Sequence, residues 1–219
     1  MIRHSVISRL SSILSSERVN TTREILEAYS YDGTTNWVSE PDVAVFPSTA
    51  EEISAILTIA NEERVAVTPR GAGTCLSGGP VPVNRGIVLC TVNMNGILQI
   101  DMENHTVTVE PGVVLMDLNN ALGKSGSFFP PDPQSFLSAT IAGMIAENAG
   151  GPACLKYGVT RQYVVGLEVV MPTGDIVHLG RKQYGTPGYN LADLIIGSEG
   201  TLGIVTKAQL KTLPLPQAR

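Results

Sequence analysis

The chain has 219 residues, 43% hydrophobic and 16% charged, with a net charge of -5. That is enough apolar material for one or two buried cores, and the acidic balance excludes a nucleic-acid footprint, which needs a basic face. Cys75, Cys90 and Cys154 lack C-x-x-C spacing, which excludes a zinc site or redox pair and suits a reducing compartment.

Residues 1–10 lack the continuous apolar core of a signal peptide, and no stretch reaches the length of a membrane span. The sequence therefore reads as a cytoplasmic, soluble protein. Val6, Ile7, Leu10, Ile13 and Leu14 recur at helical spacing and predict a helix over 3–16. A second short helix is expected over 22–29, with Thr21 and Thr22 as caps. Val43 to Phe46 reads as a short strand closed by Pro47. Ser48 or Thr49 then caps a helix over 50–63, with Glu51 and Glu52 favouring its positive end. Residues 65–68 return as a strand, which predicts a parallel pair. Strands are expected at 86–91, 97–101 and 106–110, and a helix at 114–122 stopped by Gly123. A proline-dense loop precedes a helix over 139–149 capped by Ser138. Strands over 164–171 and 175–179 flank a hairpin turn at Pro172 to Gly174, and a last strand covers 208–213. The fold class is α+β in two lobes, 1–100 and 101–219, the first containing parallel strands and the second mixed or antiparallel, with flanking helices.

The run Val65-Ala-Val-Thr-Pro-Arg-Gly-Ala-Gly-Thr-Cys-Leu-Ser-Gly-Gly-Pro80 is a strand emptying into a turn rich in glycine and hydroxyls. Such a turn offers rows of free N–H groups to phosphate, with glycine supplying positive φ and close approach. It is not a Walker loop, because no Lys-Ser or Lys-Thr follows a glycine. It is not a Rossmann fingerprint either: Leu76 stands where the third glycine belongs, and no acidic residue follows at the ribose-reading distance. What remains is a phosphate nest with no helix behind it, or a plain surface turn. Cations expected to help are Arg70, Arg85, Lys156 and Arg161. Two further loops, 139–151 and 197–203, repeat the same small-residue chemistry. With Pro131-Asp132-Pro133 and Glu110-Pro111-Gly112, they suggest one long ligand held between the lobes.

Pro69-Arg-Gly-Ala-Gly-Thr74, Pro130-Pro-Asp-Pro133, Ala139-Thr-Ile-Ala-Gly143, Asn148-Ala-Gly-Gly151, Lys156-Tyr-Gly158, Gly166-Leu-Glu-Val-Val170 and Gly197-Ser-Glu-Gly-Thr-Leu-Gly-Ile-Val205 together resemble the FAD-binding domain of the vanillyl-alcohol-oxidase-like, PCMH-type flavoproteins. Within them the chain is most similar to the glycolate oxidase and D-lactate dehydrogenase branch. The resemblance implies that Arg70, Gly71, Ala72, Gly73, Thr74, Leu76, Ser77, Gly78 and Gly79 wrap the FAD pyrophosphate, with the Thr74 and Ser77 hydroxyls as donors. It places Ala139, Thr140, Ala142, Gly143, Asn148 and Gly150 along the pyrophosphate, ribityl chain and ring, and adds Pro131, Asp132, Ser135 and Tyr157. Tyr157 is as readily a packing residue. Glu199, Gly200, Gly203 and Ile204 fall on the adenosine side, and Gly112 near the adenine.

Thr74 stands where some relatives tether the flavin through histidine, so non-covalent FAD is expected, with neighbouring Cys75 the only other tether in reach. The resemblance implies oxidation of a 2-hydroxy acid, glycolate or D-lactate type, to a 2-oxo acid by hydride transfer to flavin. It also implies a partner subunit, or a peripheral membrane acceptor, for the electrons. A substrate domain would follow the FAD domain, and this chain stops at Arg219, where that domain would begin. The catalytic acid/base is therefore expected outside these residues, and no metal is expected. The alternative reading is a non-catalytic FAD-binding module or accessory subunit; another is a fold relative acting on a sugar or aromatic alcohol.

Overall fold

A computed structural model describes residues 2–34, 36–180 and 188–216. Helix α1 (His4–Leu14) buries Val6, Leu10 and Leu14 on one stripe, as the apolar spacing requires. Strand β1 (Val19–Asn20), helix α2 (Arg23–Ala28) and the fully buried strand β2 (Val43–Val45) follow. Thr49 is the cap of α3 (Ala50–Glu63), its side chain accepting from the Glu52 N–H at 3.2 Å. Glu51 and Glu52 lie in the first turn, against the positive end of the helix dipole.

Strands β3 (Val67–Arg70) and β4 (Ile87–Cys90) complete a four-stranded sheet of order β1-β2-β4-β3. The strands flanking α3 are parallel, but they are not a pair. β4 lies between them and pairs in parallel with both. All four β4 residues are buried, and an unbroken apolar strand belongs at the centre of a parallel sheet covered on both faces.

The second sheet begins with β5 (Ile97–Asp101) and β6 (Thr106–Val109). Helix α4 (Leu115–Gly123) then runs through Gly123 rather than stopping before it, and the chain turns at Gly126, φ 73°. Strand β7 (Ser127–Phe128), helix α5 (Ile141–Glu147) and helix α6 (Cys154–Tyr157) lead to β8 (Val164–Val170) and β9 (Ile176–Gly180). Helix α7 (Ala192–Ile195) and strands β10 (Ile204–Lys211) and β11 (Leu213–Pro214) complete the chain. The five-stranded sheet has order β5-β6-β10-β8-β9 and is antiparallel throughout. β11 pairs with β7. The last long strand starts at Ile204, four residues before the expected 208, because Ile204 and Val205 pair directly with Val170 and Val169.

Helix α5 is shorter than expected and differently capped. Thr140, not Ser138, is its N-cap, accepting from the Gly143 N–H at 3.4 Å. Residue 139 is spent before the helix: the Ala139 carbonyl accepts from the Leu115 N–H at 2.9 Å, and Thr140 forms a bridge with Val114. Asn148 closes the helix in the left-handed conformation, φ 50°.

One core packs α1 and α3 onto the first sheet through residues such as Leu10, Ile53, Ile56 and Leu89. The other packs α4 and α5 onto the second sheet through Leu118, Leu122, Phe129, Ile145 and Val169. Val170 and Ile204 belong to the first core although their strands belong to the second sheet, so the glycine loop before β10 sits at the junction. Ser54 donates to the Gly174 carbonyl at 2.5 Å and Asn61 to the Pro172 carbonyl, latching α3 to the β8–β9 turn.

Candidate cofactor site

The three small-residue loops meet in one cleft. Arg70, Gly71, Ala72, Gly73, Thr74, Leu76 and Gly79 line it from the first loop, and Ser135, Ala139, Thr140, Ala142 and Gly143 from the approach to α5 and its first turn. Glu199, Gly200, Gly203 and Ile204 line it from the last loop. Glycines in it lie hard against neighbouring side chains. A Cβ on Gly71 would fall on the Thr140 hydroxyl, one on Gly200 would lie 3.0 Å from Pro69 Cγ, and one on Gly203 would lie 2.6 Å from Val169 Cγ1. Gly73 takes φ 70°, open to glycine but costly for other residues.

Eight residues named from the sequence are not in the lining. Ser77 turns its hydroxyl to the Glu147 carboxylate, 3.2 Å from each oxygen. The Gly78 N–H donates to Asp32 at 2.9 Å. Gly112 packs against the 91–94 turn, its N–H donating to the Met94 carbonyl at 2.7 Å. Pro131 stands in the proline loop beside Asp132, whose carboxylate accepts from the Ala153 N–H at 3.1 Å. Asn148 accepts from the Arg161 N–H at 3.0 Å, and Gly150 packs against Val159. Tyr157 meets Phe128 edge to face at 5.7 Å and carries the Lys156 ammonium over its ring at 4.7 Å. Each of these contacts shapes the loop in which it sits.

The sequence reading missed Glu147 and Ser198. Both line the cleft, and nothing in their spacing marks them. Among the described residues the buried Ser198 hydroxyl oxygen has no hydrogen-bond partner, an acceptor and donor left for a ligand. The expected cations already have protein partners. Arg85 pairs with Asp42 at 3.1 Å, and Arg161 pairs with Asp193 at 3.2 Å while donating to the Ile196 carbonyl at 2.6 Å. Arg70 is only 7% exposed, and its guanidinium donates to the Tyr31 carbonyl at 2.7 Å. In contrast, among the described residues no protein acceptor takes the N–H groups of Ala72, Gly73 or Thr74. The donor set is thus backbone amides and hydroxyls lining one cleft. This suits a diphosphate held by dipoles, so the residues fit FAD.

Glu147 and Glu199 both approach Gly79, where a Cβ would lie 3.2 Å and 3.0 Å from their respective carboxylate oxygens. Burial, and then the Glu199 charge, push the Glu147 carboxyl above its usual range. An acid whose folded pKa is raised destabilises the native state as pH climbs through that pKa, and costs nothing below the unfolded pKa, where both states are protonated. Glu147→Gln, which keeps an acceptor for Ser77, is therefore expected to raise the melting midpoint by about 1–3 °C at pH 8. The gain should vanish near pH 4. Thermal melts across pH 4–8 check this; equal midpoints at all pH values would refute it.

The chain is similar to glycolate oxidase subunit GlcD of Bacillus subtilis (strain 168), with 47% identity over 220 residues covering 100% of this chain and 47% of that protein. It is similar to D-lactate dehydrogenase of Anaerostipes hadrus, with 43% identity over 204 residues covering 92% of this chain and 43% of that protein. It spans less than half the length of both. Among solved structures it resembles alkyldihydroxyacetonephosphate synthase, with a TM-score of 0.88 and 27% identity over 100% of this chain and 42% of that one. Residues 41–180 match the family model described as FAD binding domain. That match runs from the strand before α3 through the first loop and α5 to the end of β9, so the chain belongs to the FAD binding domain family, and its cofactor is FAD.

Proposed function

We propose that this chain is the FAD-holding part of an oxidoreductase that converts a 2-hydroxy acid of the glycolate or D-lactate type to the 2-oxo acid. The observation that carries the reading is the convergence of three small-residue loops on one slot with unpaired amides at Ala72 to Thr74. Identity of 47% and 43% to proteins named for glycolate and D-lactate supports the substrate class. When bound, FAD supplies the hydride acceptor for the substrate's α-hydrogen. The chain's own residues do the holding. With FAD bound, amides of the first loop would face the diphosphate, the Ser198 hydroxyl would offer one further bond, and the small residues Ala139, Ala142 and Gly143 would let backbone approach the cofactor. Thr74 cannot tether a flavin, and the binding is proposed to be non-covalent.

The base that takes the hydroxyl proton and the groups that hold the carboxylate are proposed to lie in a substrate domain or partner subunit. A relative named as a subunit supports such a partner. Delivery of the electrons to that partner or to a peripheral membrane acceptor, in a cytoplasmic setting, belongs to the same proposal. No helix among the described residues is long and apolar enough to cross a membrane.

Purified chain incubated with FAD and desalted is expected to keep flavin absorption that dithionite bleaches, and acid precipitation should leave the yellow in the supernatant. Absence of flavin bands would overturn the cofactor role, and a yellow pellet the non-covalent binding. Glycolate or D-lactate is expected to bleach the flavin only when the partner half is supplied. If both halves together bleach with neither acid, the substrate class is wrong.

A further inference from the structure

The segment just after α2, residues 29–34, contacts the first loop without lining the cleft. Its contacts to that loop are dense. The Asp32 carboxylate, 5% exposed, accepts from the Gly78 N–H at 2.9 Å and the Cys75 thiol at 3.7 Å through one oxygen. Through the other it accepts from the Thr34 N–H at 2.8 Å and hydroxyl at 3.1 Å. The Gly33 N–H donates to the Cys75 carbonyl at 2.9 Å. Gly33 is pressed so close that a Cβ would lie 2.8 Å from the Cys75 carbonyl oxygen and 3.0 Å from that of Thr74. One end of the loop is held by the same segment: the Tyr31 carbonyl takes the Arg70 guanidinium, which lies over the Tyr29 ring at 5.3 Å.

A buried carboxylate behind a loop that faces a diphosphate is electrostatically the wrong sign, since it repels the ligand through a low-dielectric medium. Burial pushes its pKa up, but the hydrogen bonds from Thr34, Gly78 and Cys75 outweigh that and hold it below its usual range. It is therefore charged at neutral pH, and what it offers the loop is geometry. With Gly78 drawn back onto Asp32 and Cys75 drawn onto Gly33, residues 72–74 between these anchors and Arg70 are left as a taut arc. Order already present in the loop is order that FAD need not impose when it binds.

We propose that Asp32 and Gly33 are positioning residues that set FAD affinity by fixing the shape of the diphosphate-facing loop, without touching the cofactor. The inference rests on the FAD reading above, and its test separates the two. The probe is FAD, titrated into the purified full chain and into Asp32→Asn and Gly33→Ala, with Kd from flavin fluorescence and the phosphorus resonances of bound FAD read at saturation.

Asn matches Asp in shape but replaces one acceptor oxygen with a donor and removes the charge that four donors share. The expected result is a Kd raised about tenfold or more in both variants, with shifted phosphorus resonances and unchanged visible flavin bands. The sign is diagnostic: if the Asp32 charge acted mainly by repulsion, Asp32→Asn would tighten FAD binding, and that overturns the proposal. An unchanged Kd overturns it too, as do visible bands that move along with the phosphorus signals, which would mean general loosening of the fold. Should Asp32→Asn not fold, Gly33→Ala alone decides by the same readouts. A wild-type chain that takes up no FAD overturns the cofactor reading and this inference with it, whereas wild-type uptake with indifferent variants overturns only this one.

Discussion

Gly73→Ala is expected to lower FAD affinity about 30- to 100-fold, enough for the cofactor to be lost on desalting. Two costs combine. Gly73 adopts φ 70°, and the left-handed conformation costs an L-residue roughly 1–2 kcal/mol. The added Cβ would also fall on the Arg70 guanidinium, which is 7% exposed, bonded to the Tyr31 carbonyl and seated over the Tyr29 ring. Either the arginine leaves its buried partners or the loop lifts, and each outcome moves the free amides of Ala72 to Thr74. A combined penalty of about 2.1–2.8 kcal/mol corresponds to the stated range, since each 1.4 kcal/mol is tenfold. Flavin fluorescence titration measures it, and a Kd within threefold of wild type would refute this account of the loop.

Ile145→Ala is expected to destabilise the chain by about 2–5 kcal/mol, the largest stability effect foreseen at a residue next to the site. Ile145 is fully buried in the core of the second sheet, on the inward face of α5 with Ile141 and Met144. Its carbonyl also accepts from the Gly197 N–H at 3.0 Å, and that of Ala146 accepts from the Glu199 N–H at 3.0 Å. A cavity under α5 therefore loosens the last glycine loop as well as the core. A loss of about 3 kcal/mol lowers the melting midpoint by roughly 6–12 °C in a chain of this size. FAD should restore part of the loss, because a ligand that binds only the native state stabilises it by mass action. Calorimetry with and without FAD checks both. A midpoint within 2 °C of wild type would show that α5 repacks without cost.

Much of the fold was legible in the chain. The apolar stripe of α1, the Thr49 cap with Glu51 and Glu52, and the turn at Gly174 are local signals, and the structure keeps them. The same holds for the small-residue loops, because glycine marks positive φ and close approach wherever they occur. What failed were decisions made by distant partners. The start of β10 at Ile204 depends on Val170, the cap at Thr140 depends on its bridge to Val114 and on Leu115 claiming Ala139, and the place of β4 between β2 and β3 depends on burial from both faces.

The same division runs through the site. Residue types set its chemistry: backbone amides bared by glycine, hydroxyls in the turns, and too few cations for a charge-driven phosphate site. Tertiary structure alone decided which members face the cleft. It sent Ser77 to Glu147, Gly78 to Asp32 and Arg161 to Asp193, and it left the Ser198 hydroxyl without a partner among the described residues. A side chain's partner is set by what the folded backbone brings within about 3 Å, and nothing local in a sequence encodes that distance between residues far apart along the chain.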